Sequence, residues 1–179
     1  TEGFIAAVKD CHRYDIEQRQ YPGTLHLQDI RETEEIAALW TEKVDVIVAS
    51  PPCNEFTIRD LPWSRTRNLP PPDMSIVNAC FQLRDLINPK IFLLENVRGA
   101  QAWIGRAPIH RGPFYFWGDV ALIPELSPNY HKTVSFGTHR AKRSPLQRAK
   151  IPWVLAHGFA QVCKSSTTLH MSEHGKSRE

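Results

Sequence analysis

The sequence predicts an α/β fold built on a mainly parallel sheet. Three observations carry this. Val44 to Ala49, "VDVIVA", is a short β-branched run of the kind that parallel sheets bury. Lys90 to Glu95, "KIFLLE", is a second apolar run. Between them Ile76, Val77, Cys80, Phe81, Leu83, Leu86 and Ile87 fall at helical spacing. Strand, crossover helix and strand make a βαβ unit.

The remaining elements follow from local signals. Thr24 to Leu27 reads as an earlier strand, and Thr33 to Trp40 as the helix after it. Cys53 to Pro72 reads as irregular, because three consecutive prolines end it. Asp73 is placed to cap the crossover helix, and Asn88-Pro89 to stop it. Gly112 to Gly118, "GPFYFWG", is aromatic and strand-like. Ile151 to Val162 forms an amphipathic helix that tolerates Pro152 in its first turn. From Lys164 onward the chain is polar, and a disordered tail is expected over 164–179.

Composition narrows the class. The 179 residues are enough for one domain with a core, and 41% hydrophobic with 23% charged residues is ordinary for a globular protein. No apolar run reaches the length of a membrane span, and no basic-then-apolar leader opens the chain. Cys11, Cys53, Cys80 and Cys163 form no C-x-x-C pair, which argues against a zinc ribbon or a disulfide framework and for reduced, cytoplasmic thiols. No Cys or His spacing points to a bound metal. The net charge is only +3, but His131 to Lys150 carries Lys132, Arg140, Lys142, Arg143, Arg148 and Lys150 with no acid among them. Such a one-sign run is either a solvated loop or a surface for phosphates.

The chemistry is expected at the strand ends. A right-handed crossover makes the two strands of the βαβ unit parallel, so their carboxyl ends share one edge. Ligands in open α/β sheets bind outside that edge. Cys53, in "ASPPCNEF", follows the first strand, Glu95 ends the second, and Asp29 follows the strand before them. Singly, each has a bland account: a packed cysteine, a strand-end acid, a turn cap. Jointly the bland accounts fail, because they do not explain why prolines stiffen the approach to Cys53. Nor do they explain why Glu95-Asn96 ends the most apolar run in the chain.

"SPPCN" followed by "ENV" resembles the DNA (cytosine-5) methyltransferases. The resemblance covers roughly Gly3 to Val162, and "FYFWGD" with "RAKIP" looks like the compact, phage-type branch. It implies a Rossmann-like fold that binds S-adenosyl-L-methionine, over 1–163, with double-stranded DNA as substrate and no membrane; a monomer is expected, although the sequence does not set the oligomeric state. In that family the Pro-Cys cysteine is the nucleophile, which assigns Cys53 to attack on cytosine C6. The Glu-Asn-Val acid, Glu95, then serves N3, a task for a carboxyl group that stays protonated in a partly desolvated pocket. Pro52, Asn96 and Val97 would line the base site. A stacked base is out of reach, so the cytosine must be flipped out. Asn54 to Pro72 would close over it, with Arg59, Arg65 and Arg67 toward phosphates and Trp63 toward the base. "LQDIR" is similar to the motif that holds the cofactor's adenine, which assigns Asp29 to the amino group and Ile30 to the ring face. Asp10 is the candidate acid for the ribose hydroxyls.

The chain also departs from the family pattern. The glycine-rich motif that opens the sheet is not found after Thr1, so the first strand and that motif are expected to be missing. Asn54 stands where the family has Gln. Arg140 and Arg143 are the nearest candidates to hold cytosine O2, and 127–147 is the only stretch left for a reduced DNA-contact insert. The alternative is therefore a weak or inactive truncated homologue that still binds DNA. Amino methylation fits less well, since it needs an aromatic residue after the prolines and Cys53 stands there. A cysteine hydrolase needs a histidine beside the thiol, and His12, His26, His110, His131 and His139 carry no signature that ties one to Cys53.

Overall fold

The protein is described by a computed structural model over residues 11–17, 23–60, 68–125 and 151–173. These residues fall into two compact units. The first holds 12–17, 24–60 and 68–121; the second holds Cys11, Gly23, 122–125 and 151–173.

In the first unit, β1 (His12–Asp15) pairs in parallel with β2 (Thr24–Leu27) as a two-stranded sheet. Helix α1 (Thr33–Ala38) follows β2. A four-stranded sheet in the order β3-β4-β6-β5 contains β3 (Val46–Ala49), β4 (Ile91–Asn96), β5 (Ile109–Arg111) and β6 (Phe114–Gly118). Strands β3 and β4 are parallel, with Val46 opposite Ile91 and Ala49 opposite Leu94. Between them run the short helix α2 (Asn54–Arg59) and the crossover helix α3 (Ser75–Ile87). The βαβ unit thus stands where the apolar periodicity put it. Helix α3 buries Val77, Ala79, Cys80 and Leu83. Asp73 accepts the Ser75 N–H at its start (2.8 Å), and Asn88 ends it in the left-handed region at φ 50°. All six residues of β4 are buried.

The sheets depart from a mainly parallel arrangement. Two pairings are parallel, β1–β2 and β3–β4, and two are antiparallel, β4–β6 and β5–β6. The cause is a hairpin that the sequence reading did not contain. Arg111 pairs with Phe114 across the two-residue turn Gly112-Pro113, where Gly112 has φ 56°, and so short a turn can only reverse the chain. The end of "FYFWGD" then locks β6 onto β4. The Asp119 carboxylate accepts the Phe92 N–H (2.8 Å), and the Asp119 N–H donates to Phe92 O (2.8 Å). Gly118, at φ 98°, brings its Cα so near that a Cβ would lie 2.3 Å from Phe92 O. The expected missing first strand concerns residues outside those described.

Two further expectations change. Asn54–Arg59 is helical rather than irregular, with Phe56 buried at 1% exposure. The first unit also holds helix α4 (Gln101–Ile104), after the 3-10 turn Arg98–Ala100. The second unit's helix is α5 (Trp153–Glu173), which buries Leu155, Phe159, Ala160 and Cys163 along one stripe. It runs past Val162 into the stretch expected to be a disordered tail, because no Gly or Pro interrupts the chain between Gly158 and Gly175. No helix among the described residues is long and apolar enough to cross a membrane.

Candidate active site

The β3–β4 ladder stops at Ala49 and Leu94, but its register does not. Pro51 and Pro52 have no N–H to offer, so backbone pairing cannot continue. Side chains take over at the same offset. Ser50 Oγ donates to Glu95 Oε2 at 2.6 Å, and Asn96 Nδ2 donates to Pro51 O at 3.1 Å. The other end of the Asn96 amide accepts the Val97 N–H at 2.9 Å, so this buried side chain is used at both ends. This explains the polar pair at the end of an apolar strand: Glu95 and Asn96, at 7% and 1% exposure, replace the ladder bonds that prolines remove.

Cys53 follows directly. It is half-buried and sits at the N-cap position of α2, where its carbonyl accepts the Phe56 and Thr57 N–H groups (3.1 and 2.8 Å) and the Thr57 hydroxyl (2.9 Å). Cys80 makes the contrast. It is buried in α3 beneath the sheet, and burial pushes its thiol up to about 12, so it packs as an inert apolar group.

The second parallel pair also ends in acids. Asp15 closes β1, and its carbonyl accepts the Gln28 N–H at 3.1 Å, one residue before Asp29. Asp29 accepts the Arg31 N–H at 3.0 Å and Arg31 Nε at 2.9 and 3.0 Å, and the Arg31 guanidinium closes a second bond to its Oδ2. These bonds to Arg31 hold the Asp29 carboxyl at about 2. The turn-capping account of Asp29 is therefore true of the structure: it fixes the turn into α1, with the Glu32 N–H on Asp29 O at 3.0 Å. Ile30 packs against the core around Leu94.

The expected residues separate into three groups. Pro52, Cys53, Glu95, Asn96 and Val97 meet at the β3–β4 edge, and Asp29 and Ile30 stand at the β2 end. Asp10, Arg140, Arg143, Trp63, Arg65 and Arg67 lie outside the described residues. Arg59 does not point outward as expected for a phosphate contact. Its guanidinium bonds to Glu55 and to the Pro70 carbonyl, with the side chain only 13% exposed. Of the histidines weighed as partners for the thiol, His12 Nδ1 lies 2.8 Å from His26 Nε2, and His110 stacks on Tyr115. His131 and His139 are outside the described residues. Asp15, which ends β1, was not among the expected residues, because "HRYD" carries no apolar run to mark it as a strand. The signal that would have found it is position: it is the acid at the end of the strand before "LHLQDI".

The unit thus carries a cysteine and a Glu-Asn pair at one strand edge and acids at another, the edges where open α/β sheets bind ligands. The model of the C-5 cytosine-specific DNA methylases matches residues 7–102, more than half of the chain and inclusive of both Cys53 and Glu95. The chain belongs to that family, which methylates cytosine in DNA with S-adenosylmethionine as donor. No curated protein and no solved structure matches the chain significantly.

Proposed function

We propose that the chain transfers a methyl group from S-adenosyl-L-methionine to C5 of a cytosine flipped out of double-stranded DNA. The single observation that carries this reading is the pair of side-chain bridges, Ser50 to Glu95 and Asn96 to Pro51, that hold the Pro-Cys and Glu-Asn-Val segments together at one strand edge. Cys53, as thiolate, adds to C6 and pushes the ring electrons toward C5. Glu95 gives a proton or strong hydrogen bond to N3, which takes up the charge of the addition. Ser50 fixes the direction of that carboxyl group. After C5 has gained its methyl, a base removes the C5 proton, the S–C6 bond breaks, and the thiolate is restored.

S-adenosyl-L-methionine, when bound, supplies an electrophilic methyl group. The residues at the β1 and β2 ends fit its nucleoside half: two acids on adjacent parallel strands, one of them kept ionised. Asp10 is assigned to the ribose hydroxyls, with Asp29 and Ile30 at the adenine, and Asp15 at the end of β1 is a second acid for the ribose. Arg140 and Arg143 are assigned to cytosine O2, and 127–147 to a reduced DNA-contact insert within a catalytic domain over 1–163. The compact, phage-type branch rests on "FYFWGD" with "RAKIP". Action as a cytoplasmic monomer follows from that reading.

The test is expression in cells that lack cytosine methylation, with their DNA digested to nucleosides and weighed by mass spectrometry. A methyl-sized gain on deoxycytidine, absent with Cys53→Ser, is the expected result. Unmodified DNA from both would leave the chain as a DNA-binding homologue without the reaction.

A further inference from the structure

We infer that the turn Val97–Ala100 is a seat for the nucleophile helix, and that Arg98 and Gly99 are positioning residues for Cys53. The inference rests on the reading of Cys53 as nucleophile. Helix α2 has only six residues and no side-chain cap at its start, so its own hydrogen bonds do little to fix it. Three contacts with the turn after β4 do so instead. Phe56, on α2, is buried in the core that holds Leu94 and Ala100. Arg98 grips Asp60, just past α2, with two bonds, Nε to Oδ2 at 3.0 Å and the second guanidinium nitrogen to Oδ1 at 3.2 Å. Between them Gly99 lies flat against the helix: a Cβ there would meet Phe56 O at 2.5 Å and Asp60 Cβ at 3.0 Å.

The segment 50–60 is thus bound at both ends to 95–99. Ser50 and Pro51 are held by Glu95 and Asn96, and Phe56 and Asp60 by Gly99 and Arg98. Cys53 lies between the two attachments. Its place relative to Glu95 is therefore set from beyond the reacting groups. An ordinary contact at Gly99 needs 3.4 Å or more, so a methyl group there must push the helix away by about 0.9 Å. A shift of about 1 Å in a reacting group lowers rates by about 100-fold. The Arg98–Asp60 pair is exposed, at 64% and 37%, so its loss changes stability little. Its effect on Cys53 is thereby separable from unfolding.

The experiment compares Gly99→Ala, Arg98→Ala and the exchanged pair Arg98→Asp with Asp60→Arg in the full chain. Three readouts are taken: amide exchange of 53–60, the iodoacetamide alkylation rate of Cys53 by peptide mapping, and kcat and KM for DNA methylation. Exchange over 53–60 and alkylation of Cys53 are expected to rise several-fold in the two single variants and to return toward the original values in the exchanged pair. The kcat is expected to fall by about 100-fold in Gly99→Ala and less in Arg98→Ala, with KM for DNA within twofold. Unchanged exchange and alkylation in Arg98→Ala, which keeps its fold, would overturn the seat even if Gly99→Ala proved insoluble. Absence of methylation by the unaltered chain would sink the functional reading, while exchange and alkylation would still decide whether the seat exists.

Discussion

The β3–β4 edge and the β1–β2 edge are the same device built twice. Each is a parallel pair of strands with polar side chains where the ladder ends. They are held in opposite ways. At β3–β4 Glu95 and Asn96 are buried and bond across the strands, Glu95 to Ser50 and Asn96 to Pro51. At β1–β2 the acid bonds within its own turn, Asp29 to Arg31, on a half-exposed surface. The buried edge has its geometry fixed from several sides. The exposed edge has its charge fixed instead, with Asp29 held ionised but its position set by one local turn. A reaction that needs two groups at a set separation belongs at the first kind of edge. Recognition of a nucleoside by a permanent acceptor belongs at the second.

The largest effects are expected at the reacting groups. Cys53→Ala is expected to abolish methylation, and Glu95→Gln to lower kcat by about 10²- to 10⁴-fold with Ser50 still bonded, measured by methyl incorporation into duplex DNA. Next comes the bridge itself. Asn96→Ala leaves the Pro51 carbonyl and the Val97 N–H without their partner inside the protein, which costs about 1–3 kcal/mol each, to be read from the urea midpoint. Gly118→Ala should cost at least as much, since about 1–3 kcal/mol for a residue forced into positive φ adds to a Cβ set 2.3 Å from Phe92 O, and it tests how far the edge relies on β6 to hold β4.

The smallest effect sharpens the other edge. Arg31→Ala is expected to let the Asp29 carboxyl rise from about 2 toward 3.8, followed by carboxyl carbon resonances against pH. The sign follows from a lowered carboxylate. Its contribution to folding is complete above 3.8 and disappears as pH falls toward about 2, so the variant should lose acid sensitivity in that window alone. Because the pair is exposed, the melting temperature at neutral pH should barely move.

Legibility in the sequence followed the same division. Strand β4 and helix α3 were readable because burial writes apolar runs at a clear period, and β3 because its run is β-branched, although Val48 on it is 40% exposed. Cys53, Glu95 and Asn96 were readable because polar residues at the end of such runs stand out. Strand β1 was not, since "HRYD" in a half-exposed two-stranded sheet has no apolar alternation to betray it, and Asp15 was lost with it. Helix α2 was hidden by the three prolines, Pro70 to Pro72, that end its segment and marked all of it as loop, although helix follows Cys53 at once. The hairpin β5–β6 escaped because Ile109–Arg111 is only three residues long. What neither apolar pattern nor turn chemistry could reveal was the close approach of Gly99 to Phe56, because an isolated glycine has many causes.

Attack of Cys53 on cytosine beside Glu95 is the step on which the proposed function stands. It is tested most directly by trapping the chain on a DNA duplex that carries 5-fluorocytosine, where the fluorine at C5 cannot leave as a proton does. The bound peptide is then mapped by mass spectrometry. The account predicts a covalent adduct that depends on S-adenosyl-L-methionine, lies on Cys53, and is lost in Cys53→Ser and slowed in Glu95→Gln. An adduct on Cys11, or DNA retained only through salt-sensitive contacts with no covalent bond, would contradict it.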